Sequence, residues 1–379
     1  MTMIPFNRPP YVGKEIEYII QAVEARNLSG DGSFTKKCQE AMQDMFACKN
    51  IFLTTSCSSA LDMAAILLEI KEGDEVIMPS YTFPSTANAF ALRGARIIFV
   101  DIRSDTQNID EALVESAITE KTKAIVVVHY AGVACDMDVI NAIAQERGLY
   151  VVEDAAQGVM STYKGRYLGT LSDIGCYSFH ETKNYTCGEG GAIVVNNENF
   201  LERAEIIREK GTNRAKFFRG EIDKYSWVDV GSSYLPSELN AAYLWAQIEK
   251  MREINENRIA LWNVYNEHLQ ELEENGDATL PIVPENCEHN GHMYYIKTND
   301  LDTRTQLIQH LKAKKILSVF HYVPLHSSVA GKKLGTFHGD DTITTDTSER
   351  LLRLPFYYEM DNAHIRIVIN TVYDFFKNN

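Results

Sequence analysis

The sequence lacks the features that mark several large classes of protein. Its seven cysteines are an odd number and include no Cys-x-x-Cys pair, which argues against a disulfide framework and against a zinc site. No apolar run reaches membrane-spanning length, and the N-terminal "MTMIPFNRPPYVGKE" contains no apolar core of a signal peptide. Basic residues are outnumbered, with 37 lysines and arginines against 52 acids and a net charge of −15. We therefore expect a cytoplasmic protein with reduced thiols and no metal, which binds neither nucleic acid nor membrane.

What the first two thirds of the chain does contain is an alternation of short apolar runs with amphipathic stretches. The runs lie at 50–55, 74–79, 95–101, 123–130, 149–154, 174–180 and 191–197. Helix candidates lie between some of them, at 59–70 and 137–148. Strands that are apolar at consecutive positions are buried on both faces, so the alternation predicts a mainly parallel sheet in a three-layer α/β domain. Ligands of such sheets bind at the carboxyl ends of the strands.

The pattern changes beyond about residue 235. Residues 236–276 have apolar spacings of three and four and predict one very long or kinked helix. Short strand candidates follow at 292–298 and 317–325, around a helix at 303–315. We predict a large α/β domain over 1–245 and a smaller C-terminal α+β domain over 246–379, which the long helix enters.

Two charged residues stand at strand ends in this scheme. Asp154 follows the apolar "LYVV", where a carboxylate is costly without a partner. It is either a helix N-cap or a carboxylate that keeps a cofactor's pyridinium nitrogen protonated. Lys183, in "HETKNYTCGEGG", is either a solvated surface charge or an amine that attacks an aldehyde. The second role requires a neutral amine, which a buried site near a cationic ring favours by lowering the lysine pKa.

A possible anion site lies in "TTSCSSALDMAAILLEI", where small hydroxylated residues stand at a strand-to-helix junction. The free amides of Cys57 and Ser58, with a hydroxyl from Ser58 or Ser59, would bind a phosphate at the positive end of the helix. The alternative is an ordinary serine N-cap. Ser178 offers a further hydroxyl. Phe83, in "PSYTFPSTANA", either stacks on a flat ring or belongs to the core.

Together these segments resemble the DegT-type sugar-nucleotide aminotransferases, which are fold-type I pyridoxal-phosphate enzymes. The resemblance extends over "LSGDGSFTKKCQEAM", "GDEVIMPSYTFPSTANA", "VVEDAAQG", "CYSFHETKNYTCGEGGA", "LPSELNAAYLWAQIEK" and "FHYVPLH". It implies that Lys183 bonds to the cofactor aldehyde and later moves protons, and that Asp154 pairs with the ring nitrogen. Gln157 would cover one face of the ring near its phenolic oxygen, and Phe83 would stack on the other.

The resemblance also assigns the phosphate site, with departures from the family pattern. Cys57, Ser58 and Ser178 would hold the phosphate, although the family commonly has Gly-Thr in place of the first two. Ser233 stands where the family has an Asn that reaches the phosphate from the partner subunit. Leu235 stands where the family usually has an Arg. A homodimer with shared active sites is therefore expected, with a modified contact between subunits.

Three segments, "SFHETKNY", "EKGTNRAKFFRG" and "DVGSSYL", resemble the subgroup that aminates C4 of a dTDP-linked ketosugar. This implies glutamate and dTDP-4-keto-6-deoxyglucose as substrates. In the basic stretch 208–227, Arg214, Arg219 and Tyr225 are predicted to recognise the dTDP moiety, unless the stretch is a solvated mixed-charge loop. His326, in "FHYVPLH", matches a family position near the sugar pocket, although a lone histidine is more often structural.

Other functions remain open at this stage. Within the same enzyme class, the amino group could be added at C3 or give the opposite C4 epimer. Related 3-dehydratases have a histidine in place of Lys183. A non-catalytic sensor on the same fold should have lost Lys183 or Asp154, and both are present. A nicotinamide-dependent enzyme is disfavoured because no GxGxxG follows the first strand.

Overall fold

The computed structural model describes residues 3–378. The helices are α1 (Glu15–Glu24), α2 (Ser33–Phe46), α3 (Cys57–Leu67), α4 (Pro84–Ala91), α5 (Glu111–Val114), α6 (Met137–Arg147), α7 (Leu201–Arg208), α8 (Arg214–Phe218), α9 (Glu238–Glu249), α10 (Met251–His268), α11 (Gln270–Glu274), α12 (Leu301–Ala313), α13 (Val329–Leu334), α14 (Thr344–Arg350) and α15 (Asn362–Lys377). The strands are β1 (Ile51–Thr54), β2 (Glu75–Pro79), β3 (Arg96–Val100), β4 (Thr122–Val128), β5 (Tyr150–Asp154), β6 (Thr162–Tyr163), β7 (Arg166–Tyr167), β8 (Ile174–Ser178), β9 (Gly191–Val195), β10 (Ala278–Thr279), β11 (Cys287–Glu288), β12 (Tyr295–Thr298), β13 (Val319–Phe320), β14 (Gly335–Phe337) and β15 (Leu351–Arg353).

An eight-stranded sheet forms the centre of the molecule, in the order β1-β9-β8-β5-β4-β2-β3-β14. The seven apolar runs all form strands of this sheet, namely β1 to β5, β8 and β9. Apolar clusters lie on both of its faces, one including Ile77, Ile125 and Val127 and the other including Val76 and Val126. Adjacent strand positions therefore face opposite cores, and the predicted mainly parallel α/β fold is confirmed.

One strand of the large sheet, β9, runs antiparallel to both of its neighbours. Its first residue, Gly191, pairs with Thr54 at the end of β1 and with Ser178 at the end of β8. Residues from three distant parts of the chain are thus aligned at one edge of the sheet. Asp154 ends β5 at the same edge, since β5 and β8 are parallel. Gly191 must lack a side chain, because a Cβ there would lie 2.4 Å from the Cys57 backbone nitrogen.

The predicted long helix is divided into α9, α10 and α11, with breaks at Lys250 and Leu269. Helix α9 packs against α1 and α2, beside the large sheet. Helix α10 packs against α15 and contributes Leu261, Trp262 and Tyr265 to a separate C-terminal core. The kinked form of the prediction therefore matches the structure. The change of core occurs within α10, since its first turn still packs with α9 through Met251 and Ile254.

The C-terminal region forms a four-stranded antiparallel sheet in the order β10-β12-β15-β13, with α12 and α15 packed on it. The apolar run at 317–325 forms only the two residues of β13, and the residues after Phe320 turn toward the large sheet. Two exchanges link the regions: Ile4 pairs with Ile316 inside the C-terminal core, and β14 extends the large sheet beside β3. The domain division at residues 245 and 246 stays a prediction.

Within residues 3–378, all seven cysteines are buried and free. No group of three or more histidine, cysteine, aspartate or glutamate side chains in these residues is arranged to hold a metal ion. No helix in the described range combines the length and the apolar character needed to cross a membrane.

Candidate active site

Lys183 lies in the loop that connects β8 to β9 at the carboxyl edge of the sheet. The loop is closed by backbone hydrogen bonds, including Cys187 N–H to Phe179 C=O at 3.0 Å. Gly188 adopts a left-handed conformation at φ +83°, which glycine tolerates without strain. The Asn184 side chain donates to Asn290 C=O at 2.9 Å and so anchors the loop to the C-terminal region. These contacts fix the position of Lys183.

The Lys183 side chain is partly buried, and its amine makes no hydrogen bond or ion pair within residues 3–378. Burial lowers its pKa, and the positive charge of Arg353 lowers it further. Cys57 and Asp154 act in the opposite direction, which shows that all three groups lie near the amine. The neutral amine is the form that attacks an aldehyde, and the lowered pKa favours that form.

Asp154 is buried at the end of β5 with 6% exposure. Its Oδ2 accepts a hydrogen bond from the Thr86 hydroxyl at 2.7 Å, and its Oδ1 accepts one from Ala156 N–H at 3.2 Å. Burial raises the pKa of the carboxyl, and the Thr86 hydrogen bond opposes that rise. No helix begins at Asp154, so the N-cap interpretation does not apply. A buried carboxylate without an ion-pair partner in the described chain suits a cationic ring nitrogen.

The predicted anion site is the first turn of α3. Ser56 is the cap residue, and its Oγ accepts the Ser59 N–H at 3.0 Å. The first backbone hydrogen bond of the helix runs from Ala60 N–H to Ser56 C=O at 3.2 Å. The amides of Cys57 and Ser58 precede it and are left for a ligand. A phosphate bound there would receive two N–H donors and the positive end of an 11-residue helix.

Hydroxyl groups line the same edge. The Ser58 hydroxyl donates to Ser85 Oγ at 2.7 Å, which brings the first turns of α3 and α4 together. Ser178 is buried at the end of β8, and its Oγ accepts the His180 N–H at 3.4 Å. Ser59 instead bonds to Thr55 at 2.7 Å. Both hydroxyls considered for the phosphate are thus hydrogen-bonded within the chain, that of Ser58 toward α4 and that of Ser59 toward Thr55.

Gln157 and Phe83 are the two residues predicted to face the cofactor ring. Gln157 is buried, with Oε1 accepting Ala131 N–H at 2.7 Å and Nε2 donating to the Tyr322 hydroxyl at 3.0 Å. Phe83 precedes α4 with 57% of its surface exposed, and its ring centroid lies 6.3 Å from that of Tyr322. It does not belong to the core and is free to stack on a planar ligand.

The residues predicted to bind the nucleotide have ionic or aromatic neighbours within the chain. Arg214 is 3.6 Å from Glu209, and Arg219 is paired with Glu205 at 3.0 Å and with Glu221 at 2.6 Å. Both cations therefore already have acidic neighbours in the chain, including Glu205 of the adjacent α7. Tyr225 is half exposed beside the ring of Phe217, at a centroid distance of 5.8 Å.

Two further predicted residues occupy different surroundings. Ser233 is exposed and forms an isolated β-bridge with Glu209. Both ring nitrogens of His326 are engaged, Nδ1 with Ser80 Oγ at 2.7 Å and Nε2 with Asp341 at 3.1 Å. Within this chain the histidine ties the end of β2 to the C-terminal region, which is the structural role that the sequence left open.

Three residues at the site escaped the sequence analysis, namely Thr86, Tyr322 and Arg353. Thr86 lies in the segment "PSYTFPSTANA", three residues after Phe83, and this spacing could have pointed to it as a residue of the same site. Tyr322 lies in "FHYVPLH", next to His321, whose Nδ1 contacts the Tyr130 hydroxyl at 2.9 Å. Nothing in the sequence distinguishes Arg353 from a surface arginine.

This donor set fits pyridoxal phosphate. It combines an unpaired amine, a buried carboxylate without a cation, two free helix amides, and an exposed aromatic ring. Each feature matches a different part of the cofactor: aldehyde, ring nitrogen, phosphate and ring face. The groups in this set are not needed to pack the core or to cap a helix.

Comparison with known proteins agrees with the geometry. Residues 11–373 match the DegT/DnrJ/EryC1/StrS aminotransferase family. The chain belongs to this family. It is 31% identical over 382 residues to the spore coat polysaccharide biosynthesis protein SpsC of Bacillus subtilis, covering 99% of this chain and 97% of SpsC. It is 29% identical over 377 residues to the GDP-perosamine synthase of Escherichia coli O157:H7, covering 99% of each chain.

A solved structure gives the same result. The aminotransferase TlmJ from Streptoalloteichus hindustanus is 25% identical, with a TM-score of 0.91 and full coverage of both chains. As a member of the DegT/DnrJ/EryC1/StrS family, the chain is a pyridoxal-phosphate-dependent sugar aminotransferase. The roles of the individual residues stay predictions that the geometry supports.

Proposed function

We propose that this aminotransferase moves an amino group from glutamate to C4 of dTDP-4-keto-6-deoxyglucose. The product would be dTDP-4-amino-4,6-dideoxygalactose, a precursor of a cell-surface polysaccharide of the enterobacterial common antigen type. The observation that carries the amino-transfer chemistry is the unpaired amine of Lys183 beside the buried Asp154. The sugar and nucleotide are proposed from the resemblance of the segments around Lys183 and 208–235 to the C4-aminating subgroup.

Pyridoxal phosphate, when bound, supplies an aldehyde that carries the amino group and a ring that stabilises negative charge on the adjacent carbon. Lys183 Nζ removes the proton from Cα of glutamate and later delivers one to C4 of the sugar. One group can act as base and then as acid only if its pKa is close to the working pH. The lowering of the Lys183 pKa by burial and by Arg353 is in the required direction.

The other residues of the site hold and orient. Asp154 would keep the ring nitrogen protonated, and Thr86 orients and helps to ionise its carboxylate. The amides of Cys57 and Ser58 would hold the phosphate, with hydroxyls from Ser58 and Ser178. Gln157, fixed by its two hydrogen bonds, would limit movement of the ring on one side and Phe83 on the other.

Nucleotide binding is proposed to involve a second copy of the chain in a cytoplasmic homodimer. The segment 208–230 carries exposed aromatic side chains, of which Phe218 is 67% and Trp227 is 78% exposed. Arg214, Arg219 and Tyr225 lie in the same segment, and Ser233 follows it. Packed on a partner's site, this segment would present its arginines to the diphosphate and Ser233 to the phosphate region.

The nearest alternatives differ in the sugar. Similarity to a GDP-perosamine synthase makes a GDP-linked ketosugar a substrate to test, and amination at C3 or to the opposite C4 epimer would use the same site. A non-catalytic sensor is disfavoured, because both Lys183 and Asp154 are kept and have perturbed pKa values.

The test combines trapping with product analysis. Borohydride treatment of the cofactor-loaded protein, followed by peptide mapping, should place the reduced cofactor on Lys183, and Lys183→Ala should carry none. Incubation with glutamate and either dTDP-4-keto-6-deoxyglucose or its GDP-linked counterpart should give product only from the first, with the galacto configuration at C4 by NMR. Label on another lysine contradicts the site, whereas product only from the GDP sugar or of the other epimer contradicts the substrate.

The nucleotide subsite has its own test. Arg214→Ala and Arg219→Ala should raise the KM for nucleotide sugar far more than the KM for glutamate. Equal effects on both KM values would refute that role.

A further inference from the structure

Arg353 is a partly buried cation without an acidic partner. Its Nη2 donates one hydrogen bond, to Phe320 C=O at 3.2 Å. Its Nε is buried and has no partner, and no carboxylate of residues 3–378 lies within salt-bridge distance. The ring centroid of Phe6 lies 4.8 Å from its guanidinium carbon. Most donors of the guanidinium therefore remain unused.

Two more deeply buried arginines, Arg208 and Arg258, leave no buried guanidinium nitrogen without a hydrogen-bond partner. Arg208 pairs with Asp31 at 2.6 Å and also donates to Leu53 C=O at 2.9 Å. Arg258 donates to Gly291 C=O at 2.9 Å and to His292 C=O at 2.7 Å. A desolvated guanidinium costs free energy unless it is paired. Arg353 differs from both because its buried Nε has no partner, and, like Arg258, it has no carboxylate partner among residues 3–378.

Arg353 is positioned by the fold at the active site. It ends β15, where it pairs with Tyr295 of β12 and Val319 of β13. Its hydrogen-bond acceptor, Phe320, is followed two residues later by Tyr322, whose hydroxyl bonds to Gln157 at 3.0 Å.

The effect of the Arg353 charge on neighbouring pKa values agrees with this position of Arg353. The Arg353 charge lowers the pKa of Lys183 and of the buried His292 and His321. Burial lowers the pKa of both histidines well below the usual value, so they are neutral at pH 7. Among the groups whose charges shift the pKa of Lys183, Arg353 is the permanent cation.

We propose that Arg353 binds the α-carboxylate of the amino donor through the guanidinium donors that have no partner in the protein. This inference rests on the proposed use of glutamate as donor. The α-carboxylate is attached to the carbon whose proton Lys183 removes, so its binding group must lie beside Lys183. A planar guanidinium matches a carboxylate with two parallel hydrogen bonds, and binding supplies the missing charge partner.

The diphosphate of the nucleotide sugar is the competing ligand for this cation. It carries more than one negative charge and is joined to a nucleoside as well as to the sugar. A single, partly buried guanidinium beside the reacting amine matches one carboxylate better. The experiment must nevertheless separate the two ligands.

The test uses the cofactor-loaded enzyme without nucleotide sugar. Glutamate, glutamine and isoglutamine, in which the α-carboxylate is an amide, are titrated and the visible absorbance is followed. The wild type should respond to glutamate far better than to isoglutamine. Arg353→Met should weaken the response to glutamate at least about 30-fold and remove most of the discrimination against isoglutamine. Calorimetric binding of 2-methylglutamate, which has no α-proton to transfer, should weaken to the same extent.

Arg304→Gln is the matched control. The Arg304 guanidinium carbon lies 5.7 Å from the centroid of the Phe320 ring, and its Nε is also buried without a partner. Burial lowers the pKa of Arg304, and Tyr81 and Glu349 oppose that change. The Arg304 charge is not among the causes that shift the pKa of Lys183. The control should keep wild-type glutamate binding.

The outcomes are decisive in both directions. Unchanged glutamate binding in Arg353→Met, or a loss confined to the nucleotide sugar, overturns the proposal. Because an unpaired buried charge is removed, Arg353→Met should melt no lower than the wild type. If it does not fold, Arg353→Lys decides: it keeps the charge without the fork, and wild-type discrimination against isoglutamine would overturn the proposal. A wild type that binds nucleotide sugar but ignores glutamate contradicts the proposed donor itself, before any variant is compared.

Discussion

The Thr86 hydroxyl donates a 2.7 Å hydrogen bond to Asp154 Oδ2 and so joins the first turn of α4 to the end of β5. A second hydrogen bond of 2.8 Å links Thr86 to Thr82. Burial raises the pKa of Asp154, and the Thr86 donor is the largest influence that lowers it. The threonine therefore helps to keep the carboxylate ionised where it is needed to pair with a cationic ring.

Replacement of Thr86 by Val should raise the pKa of Asp154 further, because the donor to the charged form is lost. The acid side of the kcat/KM profile should move to higher pH, with a loss of about tenfold in kcat at neutral pH, since such hydrogen bonds contribute about 1.5 kcal/mol. The measurement is a pH–rate profile in the presence of saturating cofactor. Thr86→Ser keeps the hydroxyl and should restore the wild-type profile; a shift of the acid side to lower pH in the Val variant would contradict this role.

Asp154→Asn should separate function from stability. A raised folded-state pKa means that the unfolded chain loses its proton first, so ionisation of Asp154 destabilises the cofactor-free protein as pH rises above the ordinary aspartate value. The amide removes this penalty, and Thr86 can turn to accept from it while donating to Thr82. We expect the cofactor-free variant to gain about 1 kcal/mol at pH 7 and little near pH 4.

The same variant should lose activity about 100-fold, because the ring nitrogen loses its charged partner. Thermal unfolding measures the stability of the variant at pH 7 and at pH 4, and the rate with saturating cofactor measures its activity. A variant that is destabilised at pH 7 and active would disprove the assignment.

The pH dependence of cofactor uptake should report on Lys183. Only the neutral amine attacks the aldehyde, so uptake by cofactor-free protein should increase with pH and reach half of its maximum below 10.5, the ordinary lysine value. Arg353→Met removes a charge that lowers this pKa and should move the midpoint upward, whereas Arg304→Gln should not. Borohydride trapping at timed intervals over a pH series measures the midpoint, and a downward shift in Arg353→Met would be inconsistent with the geometry.

Gly191→Ala should damage the phosphate site specifically. The new Cβ would lie 2.4 Å from Cys57 N and from the Ser56 carbonyl carbon, so β9 and the first turn of α3 must move apart. We expect the Kd for pyridoxal phosphate to rise at least about tenfold, with a loss of about 1–3 kcal/mol in stability.

Gly148→Ala is the control for this change. It has φ +65° and open space around it, so it should cost about 1 kcal/mol of stability and leave the cofactor Kd unchanged. Cofactor titration and denaturant unfolding of both variants make the comparison. Equal cofactor binding in the two variants would refute a special role for the close approach at Gly191.

The strands were predictable from the sequence because each is a compact run of β-forming apolar residues. Their order was not: the run at 191–197 has the same apolar character in either direction, and its antiparallel place between β1 and β8 depends on pairing with both. The break at Lys250 was also hidden, since the apolar spacing continues through it and residues on both sides are buried in the same core.

The residues of the site also differ in whether the sequence could reveal them. Asp154 could be identified because a charge at the end of a buried strand is unusual in itself, and Lys183 because of the motif "HETKNYTCGEGG" around it. Thr86 and Tyr322 could not, because their significance lies in contacts with residues 68 and 165 positions away in the chain. Arg353 was inaccessible for the opposite reason, since what distinguishes it is a partner that the rest of the chain does not provide.

The exchange of segments between the two ends of the chain has a consequence for how the protein can be handled. Ile4 lies in the core built by residues beyond 260, while β14 lies against β3 at the border of the large sheet. Division of the gene near codon 250 would give an N-terminal fragment in which β3 lacks its partner β14, and a C-terminal fragment whose core lacks Ile4. We therefore expect poor complementation by co-expressed halves and poor folding of amino-terminal fusions that displace Ile4. A tag after the end of α15 leaves the contacts of Ile4 and β14 intact.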